Sequence, residues 1–138
     1  MQIRKLDDNV SVSPQIQPSE VAEIASLGFK TIVANRPDRE EASQPSMDQV
    51  KQAAEEHGLA WVYQPVESGN ISDQDVQTFS DLMADAPKPV LAFCRSGTRC
   101  TILWALSEVS HSDPDSIIGQ AASAGYDIRG LKPRLASR

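Results

Sequence analysis

A chain of 138 residues with 13 Lys and Arg against 19 Asp and Glu carries a formal charge of −6 and a sequence pI near 4.8. That balance argues against nucleic acid or a membrane surface as the main partner, so any anion site must be a local arrangement of donors, not a global field. No run approaches the ~20 apolar residues needed to cross a bilayer. The stretch Met1 to Asp8 lacks the apolar centre of a leader, and Cys94 and Cys100 make no disulfide framework. The expectations are a cytoplasmic chain forming one domain over residues 1–138, with no cofactor, and with no metal because no Cys/His cluster has ligand spacing.

Ile3–Leu6 and Val10–Val12 read as short strands around the Asp7-Asp8-Asn9 turn. Pro18-Ser19-Glu20 opens a helix with Ser19 as N-cap, Val21, Ile24, Ala25 and Leu27 as its apolar face and Gly28 as its stop. Thr31–Ala34 is a buried strand, ended by the Asn35–Glu40 loop. A second helix runs from about Ser46 to His57, and Leu59–Tyr63 follows as a third central strand. After the Gln64–Ile71 loop, Ser72 caps a helix reading Val76, Phe79, Leu82, Met83, and Pro87 and Pro89 break the chain before the Val90–Phe93 strand. Thr101–Val109 predicts a further helix, then one capped by Asp113 from Pro114 toward Ala124, and a basic tail from Arg129 to Arg134. Strands alternating with helices predict an α/β fold with a mainly parallel central sheet and helices on both faces. Ligands in such sheets bind outside the carboxyl ends of the strands, which places Cys94 and the loops after residues 34 and 63 on one edge.

The most informative segment is Cys94-Arg95-Ser96-Gly97-Thr98-Arg99, between the last strand and an apolar helix. A cysteine there meets free N–H groups and the positive end of a helix, both of which favour the thiolate. Gly97 lets the backbone turn its N–H groups inward, and Arg99 has the planar fork that grips two oxygens of an oxyanion. Cys94 and Arg99 are therefore the candidate catalytic residues, with Arg95, Ser96, Gly97 and Thr98 lining an anion cradle.

This loop resembles two families. Protein tyrosine phosphatases have His-Cys, five residues, then Arg and Ser or Thr; rhodaneses, which are sulfurtransferases, often have four residues between Cys and Arg. The chain has four, with Phe93 in place of the histidine; aligned on Gly97, the phosphatase arginine would fall on Cys100 and the hydroxyl residue on Thr101. The segments Val12-Ser13-Pro14-Gln15, Leu27–Val33 and Asn35-Arg36-Pro37-Asp38 resemble the phosphatase-like domain of beta-lactamase-hydrolase-like proteins, over nearly the whole chain. That resemblance implies a fold similar to tyrosine and dual-specificity phosphatases. It also implies a sulfur context, because some members are fused to a persulfide dioxygenase or occur with sulfide-oxidation enzymes.

The shorter loop argues for a smaller cradle, suited to a persulfide sulfur. The preferred expectation is thus a rhodanese-type sulfurtransferase passing sulfane sulfur from thiosulfate or a persulfide to a thiol through a Cys94 persulfide. The alternative is a phosphatase with a Cys94 phosphocysteine, and the third reading a non-catalytic anion- or persulfide-binding module. The partner is a small sulfur-containing or phosphorylated anion, with a persulfide dioxygenase or sulfide-oxidation enzyme as protein partner. The resemblance places a general acid in the loop occupied here by Glu67, whereas Asp73 and Asp75 read as helix-start charges. Arg36 reads as an anion ligand or as a salt bridge to Asp38 or Glu40, and Thr101 as a support for the loop. Cys100 reads as a small buried cysteine turned away from Cys94, or else as a resolving thiol. Trp61 and Trp104 read as core, and His57 and His111 as helix-end charges.

Overall fold

Short runs of β-branched and small apolar residues become strands in a computed structural model that describes every residue from Met1 to Arg138. They are β1 (Arg4–Lys5), β2 (Val10–Ser13), β3 (Thr31–Ala34), β4 (Ala60–Tyr63) and β5 (Val90–Phe93), in one sheet ordered β1-β2-β5-β3-β4. β2, β5, β3 and β4 run parallel, and only β1 is antiparallel, against β2. Every residue of β2, β3 and β5 is buried, as strands covered on both faces must be.

Two cores lie on the two faces of the sheet. The period of two divides β5 between them: Val90 and Ala92 join Phe79, Leu103, Leu106, Ile117 and Leu135 on one side, while Leu91 and Phe93 join Ile16, Val21, Ile24, Met47 and Val50 on the other. The first side is thus covered by α3 (Asp73–Asp85), α4 (Thr98–Glu108), α5 (Pro114–Ser123) and α6 (Lys132–Ala136), the second by α1 (Val21–Ser26) and α2 (Met47–Glu56). Trp104 is in the core, with its indole N–H donated to Asp7 Oδ2 at 2.9 Å; Trp61 is half-buried, its ring 6.3 Å from that of Phe93. No helix is long and apolar enough to cross a membrane.

Local chemistry accounts for where the elements depart from the expected bounds. β4 is not central: it pairs only with β3, at the sheet edge, and its burial is correspondingly partial. Ser19 is not a cap. Pro18–Glu20 is a 3-10 turn whose Glu20 carboxylate accepts the Gln17 N–H at 2.7 Å, so Gln17 holds that end. Leu27, expected on an apolar face, is 59% exposed because α1 ends at Ser26 and turns there. The expected caps Ser72 and Asp113 are present, each accepting a backbone N–H, and Ser46 caps α2 in the same way. α4 begins at Thr98, three residues before the expected Thr101, which places Arg99 and Cys100 in its first turn. The basic tail forms short helical turns, with Arg129 paired to Asp127, Lys132 to Asp115 and Arg134 to Asp73.

Candidate active site

Four loops meet at the carboxyl edge of the parallel strands, and the pairing of the strands carries on into them. Cys94 N–H donates to Ser13 O at 3.4 Å, Gln15 N–H to Arg95 O at 3.4 Å, and Asn35 N–H to Phe93 O at 2.9 Å. These bonds fix the start of the 94–97 loop between the ends of β2 and β3. Gly97, with φ of +93°, is the N-cap of α4; a left-handed turn there is what glycine permits at least cost.

Cys94 is fully buried, and its sulfur accepts the Gly97 N–H at 3.1 Å. The Cys100 side chain also faces this sulfur, against the expectation that the two side chains point apart: starting the helix at Thr98 turns residue 100 back toward the loop. Together the Cys100 thiol and the backbone N–H groups of Cys100, Ser96 and Gly97 outweigh burial and lower the Cys94 pKa to about 5. The wholly buried Cys100 thiol moves the other way, well above its ordinary value, so it stays protonated and remains a donor. Alkylation of the native chain by iodoacetamide is therefore expected to follow a single ionisation near pH 5, read as labelling rate against pH. A midpoint near the ordinary thiol value would contradict this picture.

Arg99 is only 6% exposed, and its partners leave it a defined free edge. Nη1 donates to Glu40 Oε2 at 2.8 Å and to Val66 O at 2.9 Å, while Nη2 donates to Glu40 Oε1 at 2.7 Å. Of the five guanidinium N–H donors, these use three; Nε–H and one Nη2–H remain, side by side on one edge and spaced for two oxygens of an anion. Glu40 also accepts Arg36 Nε at 3.1 Å, and its pKa falls to about 2, first through the hydrogen bond from Arg99, with Arg36 adding to it against the cost of burial. Arg36, also buried, gives Nη1 to Gln15 Oε1 and Nη2 to Glu41 Oε1. Of the two expected salt bridges, that to Glu40 forms. Asp38 instead accepts the Met47 N–H at 3.1 Å, at the start of α2.

The loop opens onto a cavity of about 560 Å³. Arg95, Ser96, Thr98 and Arg99 line it from the cysteine loop, Glu40 and Glu41 from the loop after β3, and Ser68, Gly69 and Ile71 from the loop after β4, with Ile102 of α4. Cys94 does not line it, so an anion must pass these loop residues to reach the sulfur. Arg95 is exposed and pairs with Glu41 at 2.9 Å; Thr101 donates its hydroxyl to Gly97 O at 2.9 Å, bracing the loop. Glu67 is exposed in the turn next to Ser68. Asp75 accepts the Ser72 N–H in the cap of α3, and Asp73 pairs with Arg134 and Arg138, so both are helix-start charges. Sequence reasoning missed Glu40 as a site residue. The available signal was that a buried arginine needs a carboxylate, and the acid-rich loop after β3 lies on the same edge.

Residues 2–111 match the family described as beta-lactamase hydrolase-like protein, phosphatase-like domain. The Beta-lactamase hydrolase-like protein of Xylella fastidiosa is 34% identical over 130 residues, which cover 93% of this chain and 30% of that protein. The chain spans less than a third of the length of the curated relatives it matches. A solved structure from Neisseria meningitidis, described as a candidate phosphatase, is 43% identical with a TM-score of 0.90, covering 99% of this chain and 98% of its own. Tk-PTP, solved in its active form, is 16% identical with a TM-score of 0.72 over 99% of this chain and 94% of its own, a likeness of fold.

These relatives overturn the expectation of a rhodanese-type sulfurtransferase: the matched family and the Neisseria structure are both described as phosphatase-like. The expected persulfide dioxygenase or sulfide-oxidation partner finds no support among them. The physical reason is that counting residues from Cys94 to Arg99 gauges only the floor of the site. Its walls come from the loops after β3 and β4, which enclose far more room than a terminal sulfur needs. With a mostly parallel α/β fold of the tyrosine and dual-specificity phosphatase type, the chain belongs to the phosphatase-like domain family of the beta-lactamase hydrolase-like proteins.

Proposed function

We propose that the chain is a cysteine-dependent phosphatase that hydrolyses small phosphomonoesters through a phosphocysteine on Cys94, with residues 1–138 acting as one domain. The observation that carries this reading is the buried Cys94 sulfur, held by the Gly97 N–H at 3.1 Å, in one strand-to-helix segment with the free Nε/Nη2 edge of Arg99. The thiolate attacks phosphorus and an S–P bond forms. The P–O ester bond breaks, and its electron pair leaves on the substrate oxygen, which takes up a proton. Water then attacks the phosphocysteine, releasing inorganic phosphate and restoring the thiolate. Arg99 and the loop N–H groups hold the phosphoryl oxygens while charge redistributes, a role for donors already fixed in place.

The leaving oxygen needs an acid, and few carboxyls are free to serve. Glu40 is held ionised by Arg99 and Arg36, and Asp73 and Asp75 are committed to the start of α3. Glu67, beside the cavity-lining Ser68, is the carboxyl assigned this role, reaching the leaving group by a movement of its exposed turn. A thiolate nucleophile requires a reducing surrounding, which favours the cytoplasm. The test is phosphate release from a set of aryl and alkyl phosphates. Aryl esters, whose phenolate leaves with less help, are expected to turn over fastest. Absence of phosphate release from every member of the set would refute the proposal.

A further inference from the structure

Ser96 O and Gly97 N–H belong to one peptide plane, and a trans peptide points them in opposite directions. On the N–H side lies Cys94 Sγ, 3.1 Å from the nitrogen. On the C=O side the Tyr126 hydroxyl donates to Ser96 O at 3.0 Å. We propose that Tyr126 is a positioning residue of the cysteine loop, clamping the Ser96 carbonyl so that the Gly97 N–H stays on the sulfur that attacks substrate. The proposal deepens the phosphatase reading and rests on it only for the meaning of turnover.

Three further features support the clamp. Tyr126 is pressed against the glycine: a Cβ built on Gly97 would lie 2.8 Å from Tyr126 Cζ, closer than such atoms approach, so the ring occupies the space a side chain would take. A flip of the 96–97 peptide would lose the phenol and turn a carbonyl oxygen toward a thiolate. Tyr126 is itself held after α5 by its own N–H, donated to Ala121 O at 2.9 Å. Its hydroxyl is kept a donor, since burial and the nearby Cys94 charge both raise its pKa. A phenol on the carbonyl also polarises the peptide and strengthens its N–H as a donor. Tyr126 lies beyond residues 2–111, so the matched family segment does not contain it.

Tyr126→Phe in the full chain keeps the ring and removes one oxygen. The readout is the pH midpoint of Cys94 alkylation by iodoacetamide, which requires no turnover. Losing the clamp should raise that midpoint by about one pH unit, equivalent to roughly tenfold slower labelling below it. Arg99 and Cys100, the other titratable groups facing the sulfur, are untouched by the substitution. An upward shift at an unchanged thermal midpoint supports the role, and an unchanged alkylation midpoint overturns it. In the wild-type chain the Gly97 amide proton should move downfield as Cys94 ionises; a static resonance would also overturn the clamp. A shifted midpoint in a protein that releases no phosphate from any ester would instead refute the phosphatase reading and leave the clamp standing.

Discussion

Phosphate release by the Cys94→Ser chain is expected to fall by about 10⁴-fold or more, the scale of loss when a covalent nucleophile is removed. The reason lies in ionisation. The sulfur is already an anion at neutral pH because Cys100 and the backbone donors hold its pKa at about 5. A serine hydroxyl starts from a far higher pKa, and the same donors leave it neutral. Anion binding should survive, because Arg99 and the loop N–H groups remain. Inorganic phosphate should therefore protect the variant against heat about as well as it protects the wild type. Acid-quenched wild type, but not the variant, should carry a phosphorus resonance typical of a thiophosphate ester. Turnover undiminished in Cys94→Ser would remove this cysteine from the mechanism.

Glu40→Gln is expected to damage both stability and activity. One carboxylate here serves two buried guanidinium groups, and Arg99 hydrogen-bonds no other carboxylate. Lowering the Glu40 pKa from 4.5 to about 2 corresponds to an upper limit of about 3 kcal/mol, which its 26% side-chain exposure reduces to about 2. Because the folded-state pKa is the depressed one, this stabilisation is present above about pH 4.5 and is lost as pH falls toward about 2. Urea midpoints for the two chains should thus differ clearly at neutral pH and converge in acid, with more than about half the gap gone by pH 3. A gap of constant size would mean that shape, not charge, makes the contribution. Activity should fall about 10- to 100-fold, since a guanidinium freed from its carboxylate no longer presents its Nε/Nη2 edge in a fixed direction.

The order of strands and helices was legible in the sequence, because periodicity, caps and glycine stops are local. Ser72 and Asp113 cap where their chemistry says they should, and the Val90–Phe93 run leads into Cys94 as a buried strand must. Cys94 and Arg99 stood out as candidates for the same reason, since a cysteine between a strand and a glycine-opened helix carries its electrostatic argument in adjacent residues. What surrounds them comes from contacts between distant segments. Strand order put Ala60–Tyr63 at the edge, a matter of pairing that no local pattern encodes. Glu40 reaches Arg99 across 59 positions and Tyr126 reaches Ser96 across 30, contacts created by the sheet and by the docking of α5. The choice between sulfur and phosphorus chemistry failed in sequence for the same reason. Loop length is local, but the room above the loop is made by segments distant along the chain, brought together only when the parallel strands align their carboxyl ends.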